Sequence, residues 1–244
     1  KDVGKPIDLA LIMVPYELVL QAVKDCVQSK VKVAVVMSSG FAEASDAGAK
    51  AQELLVNVAN QSGMRLVGPN CIGSAGGEVK LTATFSPVFS GASTYLSAGN
   101  IALVSQSGAL GYGIYSLANE RGLSIGYVVT TGNEADVTAL EVAQSLSKET
   151  KVSGLLIYAE SLSNIELLNE CINNLSNNSY INLVGEWVYP ENLTSTKTYT
   201  HSEHIFKYLD SPLCHPKWIT KPYIYTNDVQ WKIHSISESN IILN

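Results

Sequence analysis

The stretch NIALVSQSGALGYGIYSLANERG, Asn100–Gly122, decides how the rest of this chain is interpreted. Its apolar start, Asn100–Val104, predicts a buried strand. The small and apolar residues of Gly108–Arg121 predict a helix that begins directly after the polar turn Ser105-Gln-Ser-Gly108. A strand that leads through a short turn into a helix is typical of βαβ units, so the stretch indicates a parallel α/β sheet.

The same alternation of strands and helices runs through the first 160 residues. Because crossovers between parallel strands have one hand, it predicts a doubly wound α/β layout. Residues 74–98 interrupt the rhythm with glycine, serine and proline, and we interpret them as a long connection between two consecutive parallel α/β units. The predicted strands are residues 8–14, 32–37, 64–67, 100–104, 125–130 and 151–158, and the predicted helices are 16–29, 47–61, 108–121 and 136–148.

Composition describes a globular chain without a basic surplus. Its 244 residues are 46% apolar and 16% charged, with a net charge of −6, which disfavours nucleic acid as a partner. The sequence has no apolar run long enough for a membrane helix and no signal peptide at its start, and its scattered cysteines suit a reducing cytoplasm. No metal site is predicted, because the cysteines and histidines form no paired short motif: Cys26, Cys71, Cys171 and Cys214, with His201, His204, His215 and His234.

Composition also divides the chain near residue 161. Every alanine and arginine lies before that point, and all histidines and tryptophans lie after it. We therefore predict a first α/β unit over residues 1–97 and a second over 98–165, with an extension to about residue 190 left open. Residues 166–244 form a divergent tail that stays unassigned, although 181–188 could supply one more strand.

The turn between strand and helix is the first candidate site. Ligands of open α/β sheets bind at the carboxyl ends of strands, and the free N–H groups of a helix start attract anions. Ser105, Ser107 and Gly108 therefore predict a phosphate-binding turn. Two alternatives stay open: Ser107 as a simple N-cap, and Ser107 as a nucleophile. The nucleophile is disfavoured, because the Gly-x-Ser-x-Gly pattern is missing and no histidine precedes His201.

Three further residues have both a structural and a functional interpretation. Asp136 and Glu134 are predicted to start a helix, with Asp136 as its N-cap. Glu160, at the end of its strand, is either a solvated carboxylate or a site residue. Cys71 is more simply explained by packing than by thioester chemistry.

Four short words of sequence, in order, resemble the NDP-forming acyl-CoA synthetases. These are the ADP-forming acetate–CoA ligases, relatives of the succinyl-CoA synthetase α subunit. The words are Gly68-Pro-Asn-Cys-Ile-Gly73, Gly99-Asn-Ile-Ala-Leu-Val-Ser-Gln-Ser-Gly-Ala-Leu110, Glu120-Arg-Gly122 and Thr131-Gly-Asn-Glu-Ala-Asp136. Each word alone is weak, but four in order with the matching strand–helix rhythm are specific. The resemblance covers about residues 8–165.

The resemblance implies a Rossmann-like CoA-binding domain followed by a flavodoxin-like succinyl-CoA-synthetase domain. It implies that acyl-CoA and phosphate form an acyl phosphate, whose phosphoryl group passes through a phosphohistidine to ADP or GDP. Carried over by motif, the residues near the thiol end of CoA are Ser38, Gly40, Phe41, Pro69, Asn70 and Cys71. The implied phosphate-binding residues are Ser105, Ser107, Gly108, Gly132 and Asn133, and Glu160 would orient the phosphohistidine.

The cofactors and partners implied by the resemblance extend beyond this chain. They are coenzyme A or acyl-CoA, phosphate, and ADP or GDP with Mg²⁺ held by a separate ATP-grasp domain or subunit, in a hetero- or homo-oligomer. The family's opening βαβ, whose glycine-rich turn grips the CoA diphosphate, would lie before Lys1. The family's Ser-His-Thr-Gly stretch is absent, and Tyr199–His204 does not match it.

These departures predict a portion that is incomplete on its own. They also leave an alternative function open: a non-catalytic module that senses acyl-CoA, like the synthetase-like region of some protein acetyltransferases.

Overall fold

The computed structural model describes residues 3–90, 96–161, 164–175, 180–184, 223–226, 229–237 and 240–243. Within these ranges the helices are α1 (Tyr16–Gln28), α2 (Asp46–Asn60), α3 (Gly108–Glu120), α4 (Ala139–Leu146) and α5 (Ile165–Asn174). The strands are β1 (Leu9–Ile12), β2 (Val33–Val36), β3 (Arg65–Val67), β4 (Gly73–Gly76), β5 (Leu81–Thr84), β6 (Ile101–Ser105), β7 (Ile125–Thr130), β8 (Gly154–Tyr158), β9 (Tyr180–Val184), β10 (Tyr223–Thr226), β11 (Val229–Ser237) and β12 (Asn240–Leu243).

The first unit is a parallel sheet in the order β1-β2-β3. Its core joins the apolar residues of the strands to one stripe of each helix, because apolar positions three and four residues apart share a helix face. From α1 these are Val19 and Val23, and from α2 they are Leu55 and Ala59, all at most 1% exposed. The predicted parallel α/β fold of this unit is confirmed.

The second unit is a six-stranded sheet in the order β5-β4-β7-β6-β8-β9. Strands β7, β6, β8 and β9 are parallel, as expected for βαβ units. Strand β4 pairs antiparallel with β7, and β5 pairs antiparallel with β4. They lie within the stretch interpreted as a long connection, and their small residues, including buried Ala75 and Ala83, gave no apolar alternation to detect. The second sheet is therefore mixed.

The second unit continues past residue 165, since α5 and β9 belong to it. Strand β9 pairs in parallel with β8 over its whole length, from Gly154↔Tyr180 to Tyr158↔Val184. Strands β10, β11 and β12 form a separate antiparallel sheet in that order. No α-helix in the described ranges has the length and apolar character required to cross a membrane.

Helix α4 begins later than predicted, and Asp136 is not its N-cap. The N-cap is Thr138, whose hydroxyl accepts a hydrogen bond from the N–H of Glu141 at 3.2 Å. The Glu141 carboxylate in turn accepts from the N–H of Thr138 at 2.9 Å, which completes a capping box. This reciprocal pair satisfies two helix-start N–H groups, so it fixes the start at Ala139 and leaves Asp136 free for another contact.

Candidate functional site

Two loops meet at the carboxyl end of the first sheet. The loop after β2 carries Ser38 and Gly40, and the loop after β3 carries Asn70. The N–H of Asn70 donates to the carbonyl of Ser38 at 3.0 Å, and the Ser38 hydroxyl donates to the carbonyl of Val14 at 2.6 Å. The six residues that the resemblance associates with CoA are therefore brought together at one edge of this sheet.

The members of this group differ in exposure. Phe41 is 1% exposed and packs into the first core, where its ring lies 5.0 Å from that of Tyr16. Pro69 and Cys71 are buried as well, whereas Ser38 and Gly40 are partly exposed and Asn70 is exposed. Only the last three present atoms that a ligand of the loops could reach directly. The buried members shape the loops from beneath.

The environment of the Cys71 thiol disfavours nucleophilic attack. It donates to the carbonyl of Val36 at 3.4 Å and is 1% exposed. Burial raises its pKa to about 12, so the thiolate that nucleophilic attack requires is scarce at neutral pH. Cys71 is thus a packing residue of the loop.

Glu43 organises the loop after β2, and sequence reasoning did not identify it. Its Oε1 accepts from the N–H of Gly40 at 2.6 Å and from that of Phe41 at 3.2 Å, while its Oε2 accepts from the side chain of Asn133. Partial burial acts to raise its pKa, but these hydrogen bonds outweigh burial and lower the pKa below its ordinary value. The carboxylate therefore fixes the loop while ionised.

The polar turn of the second sheet lies between β6 and α3, as predicted. Ser107 is the N-cap of α3, and its hydroxyl accepts from the N–H of Leu110 at 3.3 Å. A hydroxyl that accepts in this way keeps its own proton available for a ligand. Ser105 is fully buried, and its hydroxyl donates to the carbonyl of Ser107 at 2.6 Å. Ser105 therefore holds the shape of the turn from inside.

The first turn of α3 offers backbone donors beside Ser107. Helix geometry leaves the N–H groups of Gly108 and Ala109 without an intrahelical acceptor. Packing, rather than ligand access, requires glycine at position 108. A Cβ there would lie 2.5 Å from a side-chain carbon of Ile72, which covers Gly108. The helix start is therefore packed against the loop that leads out of the first unit.

The loop after β7 docks along β3 and joins the two sheets. The N–H groups of Asn133, Ala135 and Val137 donate to carbonyls at the end of the first sheet, those of Pro69, Gly68 and Leu66, at 2.9–3.1 Å. Gly132 sits at the closest approach, with φ +59° and a position where a Cβ would lie 2.2 Å from the carbonyl oxygen of Pro69. Only glycine fits here.

Asn133 is committed to the first unit by its side chain. Its Nδ2 donates to Glu43 and, at 2.9 Å, to Gln52, and its Oδ1 accepts from Asn70 at 3.2 Å. The residue that the resemblance assigns to phosphate thus bridges the CoA-side loops to the loop after β7. It lies at the junction between the two candidate sites.

A second network links the three loops of the second sheet, and sequence reasoning missed it. Glu134 accepts from the hydroxyl of Thr131 at 2.8 Å, from the N–H of Ala139 at 2.6 Å and from Gln106 at 2.8 Å. Burial raises the pKa of Glu134 above its ordinary value, and these hydrogen bonds oppose the rise. Its contact with Ala139, the first residue of α4, agrees with the predicted helix-start role.

Glu160 was predicted at the end of its strand, but β8 ends at Tyr158 and Glu160 lies two residues beyond it, exposed. Its N–H donates to the side-chain oxygen of Gln106, which ties the end of β8 to the turn after β6. The described residues contain no group of three His, Cys, Asp or Glu side chains able to hold a metal ion. Tyr199–His204, His215 and Cys214 lie outside the described residues.

Two family models match the chain in the order of the two units. A CoA binding domain matches residues 1–77, and the succinyl-CoA ligase like flavodoxin domain matches residues 98–183. Both matches lie over the sheets whose loops form the candidate site.

Curated relatives match the same region. Acetate–CoA ligase [ADP-forming] I of Archaeoglobus fulgidus is 39% identical over 156 residues, which are 64% of this chain and 22% of that protein. The α subunit of acetate–CoA ligase [ADP-forming] I of Pyrococcus furiosus is 35% identical over 161 residues, 66% of this chain and 34% of that subunit. The chain thus spans between about a fifth and a third of the length of these relatives.

Solved structures agree with the fold. PH0766 from Pyrococcus horikoshii superposes with a TM-score of 0.67 at 32% identity, covering 76% of this chain and 41% of that one. A dinucleotide forming acetyl-coenzyme A synthetase 1 of Ca. Korarchaeum cryptofilum, in complex with phosphate and ADP, gives a TM-score of 0.68 at 31% identity, covering 75% and 38%. Fold, motifs and matched domains agree, and the chain belongs, through residues 1–77 and 98–183, to the ADP-forming acyl-CoA synthetase family.

Proposed function

We propose that this chain supplies the CoA-binding and phosphoryl-transfer portion of an NDP-forming acyl-CoA synthetase. In the complete reaction, acyl-CoA, phosphate and a nucleoside diphosphate give the free acid, CoA and the nucleoside triphosphate, by way of an acyl phosphate and a phosphohistidine. This chain would hold the first two reactants, at the junction of its two units.

The observation that carries the proposal is the contact between the two candidate sites. The loop after β3 and the loop after β7 share the hydrogen bond from Asn133 N–H to the carbonyl of Pro69 at 2.9 Å. A thioester held at Gly40 and Asn70 would lie beside the anion-attracting start of α3. Attack of a phosphate oxygen on a thioester carbonyl requires this kind of proximity.

Each reachable residue has a role in this proposal. The Ser107 hydroxyl donates a hydrogen bond to phosphate, as do the N–H groups of Gly108 and Ala109. Ser105 and Gly132 set the positions of these donors rather than contacting phosphate. Glu160, exposed two residues beyond β8, would orient the phosphohistidine, whose Ser-His-Thr-Gly stretch is absent from this sequence.

The remaining parts of the reaction fall to partners. ADP or GDP with Mg²⁺ would bind to an ATP-grasp domain or subunit, which supplies the nucleotide site and makes the working enzyme an assembly. The described cysteines Cys26, Cys71 and Cys171 are free thiols. Free thiols suit a reducing compartment, so we place the reaction in the cytoplasm.

Titration calorimetry with CoA, acetyl-CoA and inorganic phosphate tests the proposal on the 244-residue chain. We expect Ser107→Ala to weaken phosphate binding about ten- to a hundredfold, the effect of losing a hydrogen bond to a charged group. Ser107→Thr keeps the hydroxyl and the N-cap, so it should bind nearly as the unaltered chain does. Ser62→Ala, which removes a hydroxyl bonded to the carbonyl of Ala59 at the far end of α2, is the matched control.

Three results would count against the proposal. Absence of any CoA or phosphate binding by the unaltered chain would remove it. Tight acyl-CoA binding that ignores both phosphate and Ser107→Ala would favour the acyl-CoA-sensing module instead. An acyl adduct on Ser107, seen by mass spectrometry after incubation with acetyl-CoA, would make that serine a nucleophile.

A further inference from the structure

Gln106 is a buried amide whose hydrogen-bonding groups are all used. It is 8% exposed, between the two serines of the turn after β6. Its Nε2 donates to Glu134 at 2.8 Å and to the carbonyl of Ser161 at 2.7 Å. Its Oε1 accepts from the N–H of Glu160 and, at 3.0 Å, from that of Ser161. Two donors and two acceptors are the full capacity of a glutamine side chain.

These four bonds connect the three neighbouring loops of the second sheet. Gln106 belongs to the turn after β6, Glu134 to the loop after β7, and Glu160 and Ser161 to the end of β8. The backbone supports the same arrangement, because the N–H of Gln106 donates to the carbonyl of Tyr158 at 3.0 Å. A single side chain therefore bonds to all three loops and helps to fix their relative placement.

We propose that Gln106 is a positioning residue that holds the backbone of Glu160 and Ser161 beside the start of α3, and so fixes where Glu160 presents its carboxylate to a phosphate bound there. The inference rests on the proposed function for the presence of phosphate. Gln106 itself has no side-chain donor or acceptor left for the ligand, because protein groups use all four.

The register of the strands explains why Glu160 depends on such a contact. Ser105 pairs with Tyr158 at the ends of β6 and β8, so Ser107 and Glu160 each lie two residues beyond a paired position. Past that pair the sheet no longer constrains the chain, and the backbone N–H groups of Glu160 and Ser161 are held by Gln106 alone among the described contacts. Without these two hydrogen bonds to Gln106, the Glu160 carboxylate would sample many positions.

The first arm of the test measures local order in the full chain. Gln106→Met keeps length and apolar volume but removes all four hydrogen bonds. Hydrogen exchange followed by mass spectrometry should show at least tenfold faster exchange at residues 159–161, with little change in the core strands β6 and β8. Gln144→Met is the matched control, since Gln144 also donates to a glutamate, Glu170 at 2.7 Å, but away from the site.

The second arm measures whether Gln106 controls the effect of the carboxylate. Glu160→Gln removes a negative charge near the phosphate, so calorimetry with inorganic phosphate should show about two- to fivefold tighter binding in the unaltered background. In the Gln106→Met background the same substitution should change binding less than about 1.5-fold. If Gln106→Met only lowered the stability of the fold, Glu160→Gln would change phosphate binding equally in both backgrounds.

Each outcome decides the inference. Unchanged exchange at residues 159–161, or an equal effect of Glu160→Gln in both backgrounds, would overturn it. If Gln106→Met does not fold, Gln106→Asn, one methylene too short to span the loops, should give the same pattern. If the unaltered chain binds no phosphate, the proposed function fails while the exchange data alone decide whether Gln106 holds the turn.

Discussion

Replacing Asp136 with alanine should loosen the junction between the two units. Asp136 accepts from the N–H of Leu66 at 2.7 Å and from Arg65 Nε at 2.9 Å, and its side chain is 12% exposed. Losing the acceptor leaves a backbone N–H unsatisfied, which costs about 1–3 kcal/mol. Arg65 is 47% exposed, so its ion pair adds only about 0.2–1 kcal/mol. We expect a loss of about 1–4 kcal/mol in the free energy of unfolding.

Urea denaturation followed by circular dichroism measures this loss. Asp136→Asn keeps an acceptor for Leu66 and should fall between the wild type and the alanine variant. Asp8→Ala is the matched control, because Asp8 pairs with Lys32 at 2.8 Å but both side chains are 76% exposed, and we expect no measurable shift of the urea midpoint. Equal midpoints for Asp136→Ala and Asp8→Ala would refute the reasoning, since the buried backbone contact would then contribute nothing.

Two further predictions concern titrating groups of the first unit. Because burial raises the pKa of Cys71 to about 12, only about one molecule in ten thousand carries the thiolate at pH 8. Iodoacetamide should therefore label Cys71 only after unfolding. Rapid labelling of the folded chain, measured by peptide mass spectrometry, would contradict this. The pKa of Glu43 is lowered in the folded chain below its ordinary 4.5, so its contribution to stability is present above pH 4.5 and lost as the pH falls through the folded value. The difference in urea midpoint between the unaltered chain and Glu43→Gln should therefore shrink on acidification, and a difference independent of pH would argue against an ionised Glu43 in the loop.

Most of the parallel framework could be predicted from the sequence because large apolar residues mark buried strands. Strands β1, β2, β3, β6, β7 and β8 all lie within the predicted ranges, give or take one residue. The hairpin of β4 and β5 could not be found in this way. Its GSAG and LTAT segments owe their burial to a neighbour, β7, which pairs with β4 from more than 50 residues away.

The start of α4 shows a different limit. Asp136, Thr138 and Glu134 are all acceptable helix-start residues by type, so local preference cannot choose among them. The choice is made by contacts distant in sequence: Asp136 bonds to Arg65 and Leu66, 71 and 70 positions earlier, and Thr138 is left to form the capping box. The prediction was wrong because an intramolecular partner competed for the carboxylate.

The four sequence motifs that carry the family resemblance predicted the location of the candidate site better than its contacts. Three of the four words, which contain Asn70, Ser107 and Asn133, place their backbones at the junction of the two sheets, where glycine is needed for close approach. The fourth, Glu120-Arg-Gly122, lies at the opposite end of α3, where Gly122 has φ +73° and ends the helix. A word can therefore mark a fold requirement as readily as a ligand contact.

The side chains whose long-range contacts sequence reasoning missed share one physical property. Gln106, Glu134 and Glu43 each have a partner on another loop, 90 positions away in the case of Glu43 and Asn133. Nothing in their own neighbourhood distinguishes them from solvated residues, since their role arises only when parallel strands bring separate loop ends to one edge. Because a buried amide or carboxylate such as Gln106 or Glu134 is costly unless paired, a partly satisfied network is less stable than a complete one. The candidate site is thus specified by two separate sets of residues. The small residues, which the sequence motifs contain, allow the loops to approach one another. The polar residues, whose roles are recognised only in the structure, keep the loops in place.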